Sequence, residues 1–159
     1  MSLNNDHLDL IKSFIKHHVK FIIVGGHAAI YYGVNRNTGV LDILIEPTIE
    51  NGQKLIQALS FLELEIPEIK NEEFTQNLVL SFGLEPDAVD ILNFTPGITF
   101  KETFNNYIRA NYSGLSVPMI DIRDLIKNKE SMNRQGEKSY LDKYDVEVLK
   151  KILKKKENQ

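Results

Sequence analysis

Apolar positions along the chain follow two rhythms, a helical spacing of three or four and short unbroken runs. Leu8, Ile11, Phe14, Ile15 and Val19 recur at helical spacing, so residues 5 to 19 predict an amphipathic helix. Phe21–Val24 is an unbroken apolar run, and the chain from Val40 to Ile45 is a second run interrupted only by Asp42. Between them lie Gly25-Gly26 and a helix-compatible segment ending at Gly33, which reads as strand, glycine turn, short helix, strand. Pro47-Thr48 opens another helix, with Thr48 as its cap and Ile49, Leu55, Ile56, Leu59 and Leu62 on one stripe. Residues 63 to 77, with their acids and Pro67, give no clear period. Leu78–Leu84 and Ala88–Phe94 then predict two strands joined as a hairpin around Glu85-Pro86-Asp87.

Thr99 and Glu102 form a capping-box pattern ahead of Phe100, Phe104, Tyr107 and Ile108, predicting a helix that includes all four. Leu115–Ile120 reads as a last strand, placed at a sheet edge because Pro118 has no N–H for a ladder. Asp121 is positioned to cap a helix whose stripe is Ile122, Leu125 and Ile126, followed on the same face by Lys129. A final helix carries Leu141, Tyr144, Val148, Leu149 and Ile152, with Asp145 embedded among them.

Polar residues inside apolar runs carry the candidate chemistry. Asp42 and Asp90 each stand alone in a strand, and a buried carboxylate requires a hydrogen bond, an opposite charge or a metal. Each acid either pairs locally at a strand end, or the two meet across neighbouring strands as a site for a hard cation such as Mg²⁺. Gly25-Gly26 is either a tight turn or the opening of an anion site at a helix start. Lys129 and Asp145 either form a buried ion pair between the last two helices or border a cleft. His27 either faces a phosphate or is exposed at the helix start, and Arg36, ahead of the acid-bearing strand, reads by itself as a surface arginine in a loop. His17 and His18 close the first helix, where the dipole favours a cation.

Composition narrows the class. The 159 residues are 42% hydrophobic and 26% charged, enough for one globular domain with a core. A net charge of −3 gives no global attraction to nucleic acid, and the run Lys150–Lys156 reads as a solvated helix end rather than an RNA-binding patch. The absence of cysteine excludes disulfides and cysteine-held zinc. No apolar run reaches the roughly 18 residues of a membrane span, and the acidic-polar start lacks a signal-peptide pattern, so the expectation is a cytoplasmic protein without a membrane partner.

Taken in order, Gly25-Gly26, Arg36-x-Thr38, the acid-bearing strand and the later Asp90 resemble the small bacterial nucleotidyltransferases of the DNA-polymerase-β-like superfamily, closest to the abortive-infection and toxin–antitoxin branch. Leu125-Ile-x-x-Lys129, Arg134 and Asp142-x-x-Asp145 resemble that family's C-terminal end, with a longer stretch between Arg134 and Asp142. The resemblance covers about residues 20 to 150. It implies an α/β (α+β) fold with a mixed sheet, flanking helices and a helical C-terminal part. Residues 1–159 would form a single domain, with sheet and helices over 1–120 and C-terminal helices over 121–157.

The same resemblance implies a nucleoside triphosphate as substrate, bound by Gly25, Gly26, Arg36, Thr38 and Lys129. Mg²⁺ would be held by Asp42 and Asp90, and a nucleoside monophosphate would pass to an RNA, protein or small-molecule acceptor. One departure stands out. The family's Arg-x-Thr-x-Asp-x-Asp reads Arg36-Asn-Thr38-Gly-Val40-Leu-Asp42 here, so Val40 replaces the first metal-binding acid. Glu46 shares the strand face of Asp42 but lies about 13 Å further along, at roughly 3.3 Å per residue, too far to substitute. The alternative is therefore a catalytically degenerate module that binds a nucleotide or a partner protein, as one half of a toxin–antitoxin or phage-defence system.

Overall fold

The computed structural model describes residues 5–159, and its centre is a six-stranded mixed sheet. The strands are β1 (Phe21–Val24), β2 (Val40–Ile45), β3 (Val79–Phe82), β4 (Ala88–Leu92), β5 (Ile108–Tyr112) and β6 (Leu115–Met119), in the order β3-β4-β2-β1-β6-β5. Every residue of β1 is buried, as an unbroken apolar run at the middle of a covered sheet should be. β1 runs antiparallel to β2 and parallel to β6, while β2 runs parallel to β4. The hairpin of β3 and β4 closes one edge and that of β5 and β6 the other.

The helices are α1 (Asn5–Lys16), α2 (Gly25–Tyr32), α3 (Ile49–Phe61), α4 (Phe100–Asn106), α5 (Ile122–Glu130) and α6 (Glu137–Glu157). α1 packs against α3, and α2 packs against α5 and α6. No helix among the described residues is long and apolar enough to cross a membrane. Thr48 caps α3 by accepting from the Asn51 amide at 3.1 Å, and the Asn51 side chain bonds Lys20 N, Lys20 O and Glu46 O, fixing the start of α3 to the chain around β1 and β2. The patternless stretch before β3 contains a 3-10 turn, Asn71–Thr75. Its Phe74 ring packs so closely on Gly52 that a Cβ there would come within 2.2 Å of it.

Three expectations are corrected. Tyr107 and Ile108 do not extend α4, because the helix stops at Asn106 and Ile108 begins β5. β6 is not an edge strand: β5 lies outside it, and Pro118 is accommodated because the register with β1 pairs only Met119, beyond the proline. On α6 the buried residues are Asp142, Asp145 and Leu149, whereas Tyr144 is exposed, so two carboxylates share the inward face with Leu149 and the partly buried Val148 and Ile152.

Candidate active site

An open cavity of about 570 Å³ lies between the strand ends and the C-terminal helices. Its floor is built by register. Val24 pairs with Asp42 across β1 and β2, and Asp42 pairs with Asp90 across the parallel strands β2 and β4. The two isolated acids of the sequence therefore stand side by side on one sheet face. Val40, two residues before Asp42 on the same face, pairs with Ala88.

The glycine pair has a packing cause that the sequence did not reveal. Gly25 opens α2 with φ +68°, and a Cβ built on it would fall 2.2 Å from Asp42 Oδ2. A Cβ on Gly26 would fall 2.7 Å from Thr38 Oγ1. Both positions must lack a side chain for α2 to begin against β2 and the loop before it. The backbone at Gly25 thus closes one side of Asp42.

Asp42 has no hydrogen-bond or ion-pair partner among the described residues, while Asp90 accepts from Ser81 Oγ at 2.7 Å. Burial and then the neighbouring Asp90 charge push the Asp42 carboxyl up to about 7, against the pull of Lys129, Arg134 and Lys138. Desolvation and a like charge are the physical causes of this shift.

The wall opposite is an ion network joining the β2 approach to the last two helices. Arg36 donates through Nε and Nη2 to the two oxygens of Asp145, each at 2.8 Å, a bidentate pair. Lys129 Nζ, 4% exposed as a residue, reaches Asp145 Oδ2 at 2.8 Å and Asp142 Oδ1 at 3.6 Å, and Arg134 forks onto Asp142. Burial tends to raise the Asp145 carboxyl, but the Arg36 hydrogen bonds and the Lys129 charge outweigh it and hold it below the usual carboxylate range. Lys129 and Asp145 form the buried ion pair, and of the two only Lys129 also lines the cavity.

Gly25, Gly26, Arg36, Thr38, Asp42, Asp90 and Lys129 all line this one cavity. Thr38 is bound up locally, with its hydroxyl 3.3 Å from the Val40 carbonyl. His27 does not join them and is not exposed. It is buried, with Nδ1 2.9 Å from the Tyr112 hydroxyl, and burial together with neighbouring His7 lowers it to about 4. Arg134 of the C-terminal motif also lines the cavity, and sequence reasoning missed Glu85, Glu137 and Lys138, which line it too. Arg134 had a signal in the C-terminal motif, whereas Glu137 and Lys138 arrive through the longer stretch before Asp142.

Among the described residues, no group of three or more His, Asp or Glu side chains is placed to hold a metal ion. Two carboxylates, Asp42 and Asp90, are present at the floor, and Val40 lies two residues before Asp42 on the same strand face. The unpartnered Asp42 beside Asp90 fits a shared cation in charge and donor type, with fewer ligands than a complete carboxylate clamp supplies.

The fold has a counterpart among solved structures. The chain matches the crystal structure of the lincosamide antibiotic adenylyltransferase LnuA, solved with lincomycin bound, with a TM-score of 0.60 over 96% of this chain and 99% of that one. The fold is that of a nucleotidyltransferase. Sequence identity is 18%, so the likeness lies in architecture, and no family model or curated protein sequence matches the chain. The shared fold covers the mixed sheet and the helices packed around it.

Proposed function

We propose that this protein is a nucleotidyltransferase of the polymerase-β-like kind that binds a nucleoside triphosphate in the cavity beside Gly25-Gly26. The observation that carries the reading is the pairing of Asp42 with Asp90 on adjacent parallel strands at the cavity floor. Asp42 and Asp90 would hold Mg²⁺, which supplies charge neutralisation and Lewis-acid polarisation of phosphate oxygens. In the transfer, an acceptor hydroxyl oxygen forms a bond to the α-phosphorus, the bond from that phosphorus to the bridging oxygen breaks, and pyrophosphate leaves. The hydroxyl proton passes to solvent or to a carboxylate of the pair.

This chain's own contribution is positioning and electrostatics. Arg36 and Lys129, bound to Asp145, hold α5 and α6 over the strand ends and keep the cleft shaped. Gly25 and Gly26 let the start of α2 approach β2 without a side chain in the way. The acceptor belongs to one of three classes, an RNA end, a protein hydroxyl or a small molecule. LnuA, named for an antibiotic substrate, makes the small-molecule class the first to test. A triphosphate substrate suits a cytoplasmic setting.

Val40 supports a second reading in which the cavity binds a nucleotide or a partner without turnover, as a component of a defence or toxin–antitoxin system. Label transfer from each of four α-³²P nucleoside triphosphates to a cell extract, with Mg²⁺ or Mn²⁺, separates the two. Transfer by the wild type that disappears in Asp42→Asn supports the enzyme. Transfer only by Val40→Asp supports the binding module, and no transfer by either contradicts the enzymatic reading.

A further inference from the structure

We infer that Lys138, in the first turn of α6, is the residue that contacts the β- and γ-phosphates of the bound triphosphate. The inference rests on the nucleotide reading above and deepens it. Four cationic side chains line the cavity: Arg36, Lys129, Arg134 and Lys138. Three of them are already committed. Arg36 is doubly bonded to Asp145, Lys129 is buried against Asp145 and Asp142, and Arg134 forks onto Asp142. Turning Arg36 or Arg134 toward a phosphate would take one of two cations from a buried aspartate, and turning Lys129 would take one from each of two, an exchange with little net gain.

Lys138 is exposed and has no carboxylate partner among the described residues. Its charge is felt at the floor, where it opposes the upward shift of Asp42. Its place on α6 is also unfavourable for the helix, because the first turn repels cations and its N-cap, Gly136, provides no side-chain cap. A lysine at a helix position that disfavours a cation, lining a cavity with two carboxylates at its floor, is placed to serve a ligand in that cavity. A triphosphate carrying a divalent cation brings both charges that this arrangement lacks: the cation at Asp42 and Asp90, and phosphate oxygens at Lys138.

The test is equilibrium titration of ATP, GTP, CTP and UTP, and of the matching monophosphates, each with Mg²⁺, into the wild type, Lys138→Gln, Lys138→Arg and Lys154→Gln. For the triphosphate bound by the wild type, Lys138→Gln is expected to raise Kd about tenfold, the worth of one charged hydrogen bond. Monophosphate affinity should change by less than about twofold, Lys138→Arg should retain triphosphate affinity and Lys154→Gln should behave as wild type. Lys138→Gln should also melt no earlier than the wild type, which separates a lost contact from a damaged fold. Triphosphate binding unaffected by Lys138→Gln overturns this inference alone. Failure of the wild type to bind any triphosphate overturns the nucleotide reading and the inference with it.

Discussion

Asp42 and Asp90 occupy directly paired positions on two parallel strands, and Asp42 has no donor among the described residues to offset its charge. The pair stores repulsion in the ligand-free protein, which has a measurable consequence for stability. Between the ordinary carboxylate range near 4 and its folded value of about 7, native Asp42 retains a proton that the unfolded chain has released. Stability should therefore fall as pH rises through that window. Asp42→Asn in metal-free buffer is expected to be more stable than the wild type at pH 8, by on the order of 2 kcal/mol after allowing for the open cleft, and to lose that advantage near pH 4. Thermal melts of both proteins across pH 4 to 8 check the sign.

The network on the opposite wall has the reverse dependence. Asp145 is held below its usual range by Arg36 and Lys129, so its contribution is present above pH 4 and is lost as pH falls through the folded value. Asp145→Ala leaves a buried lysine and an arginine without their shared carboxylate, and about 3–5 kcal/mol of stability should be lost at pH 7. Denaturant unfolding measures this, and Lys129→Met should cost less, because Arg36 still holds Asp145 and Arg134 still holds Asp142.

Gly25→Ala tests the close approach at the floor. The substitution places a methyl group in the space of Asp42 Oδ2 and imposes a left-handed backbone on a non-glycine residue. A loss of about 2–3 kcal/mol is expected. The double variant Gly25→Ala with Asp42→Ala should recover part of it, since removing the carboxylate relieves the collision but not the backbone strain.

Val40→Asp adds a third carboxylate beside Asp42 on the same strand face. Without divalent cation the variant should melt below the wild type through like-charge repulsion. With saturating Mn²⁺ it should gain about 1–3 kcal/mol, more than the wild type gains, because a ligand that binds only the folded state stabilises it. Thermal melts with and without Mn²⁺ give the comparison.

The sequence carried the site's floor more clearly than its surroundings. A single acid in each of two apolar runs is visible without a structure, and the strand period then places each on one face. The partners of Arg36 and Lys129 depend on how α6 returns over the cavity, a long-range relation that helical spacing alone does not encode. β5 was hidden because Tyr107 and Ile108 continue the helical spacing of Phe100 and Phe104. The alternation of Ile108, Ala110 and Tyr112 before Ser113-Gly114 was the competing hairpin signal. Tyr144 was assigned to the core by its spacing, yet Asp142 and Asp145 face inward in its place because α5 and the Arg36 loop supply their cations.

The central claim is that the Asp42–Asp90 pair prepares this cavity for a cation-bound nucleoside triphosphate. Its most direct test is calorimetric titration of non-hydrolysable analogues of the four triphosphates into wild type, Asp42→Asn and Asp90→Asn, with Mg²⁺ and with EDTA. Binding by the wild type that requires Mg²⁺ and is lost in both variants is the predicted result. No binding of any analogue, or binding that is the same in EDTA and in both variants, would contradict the account.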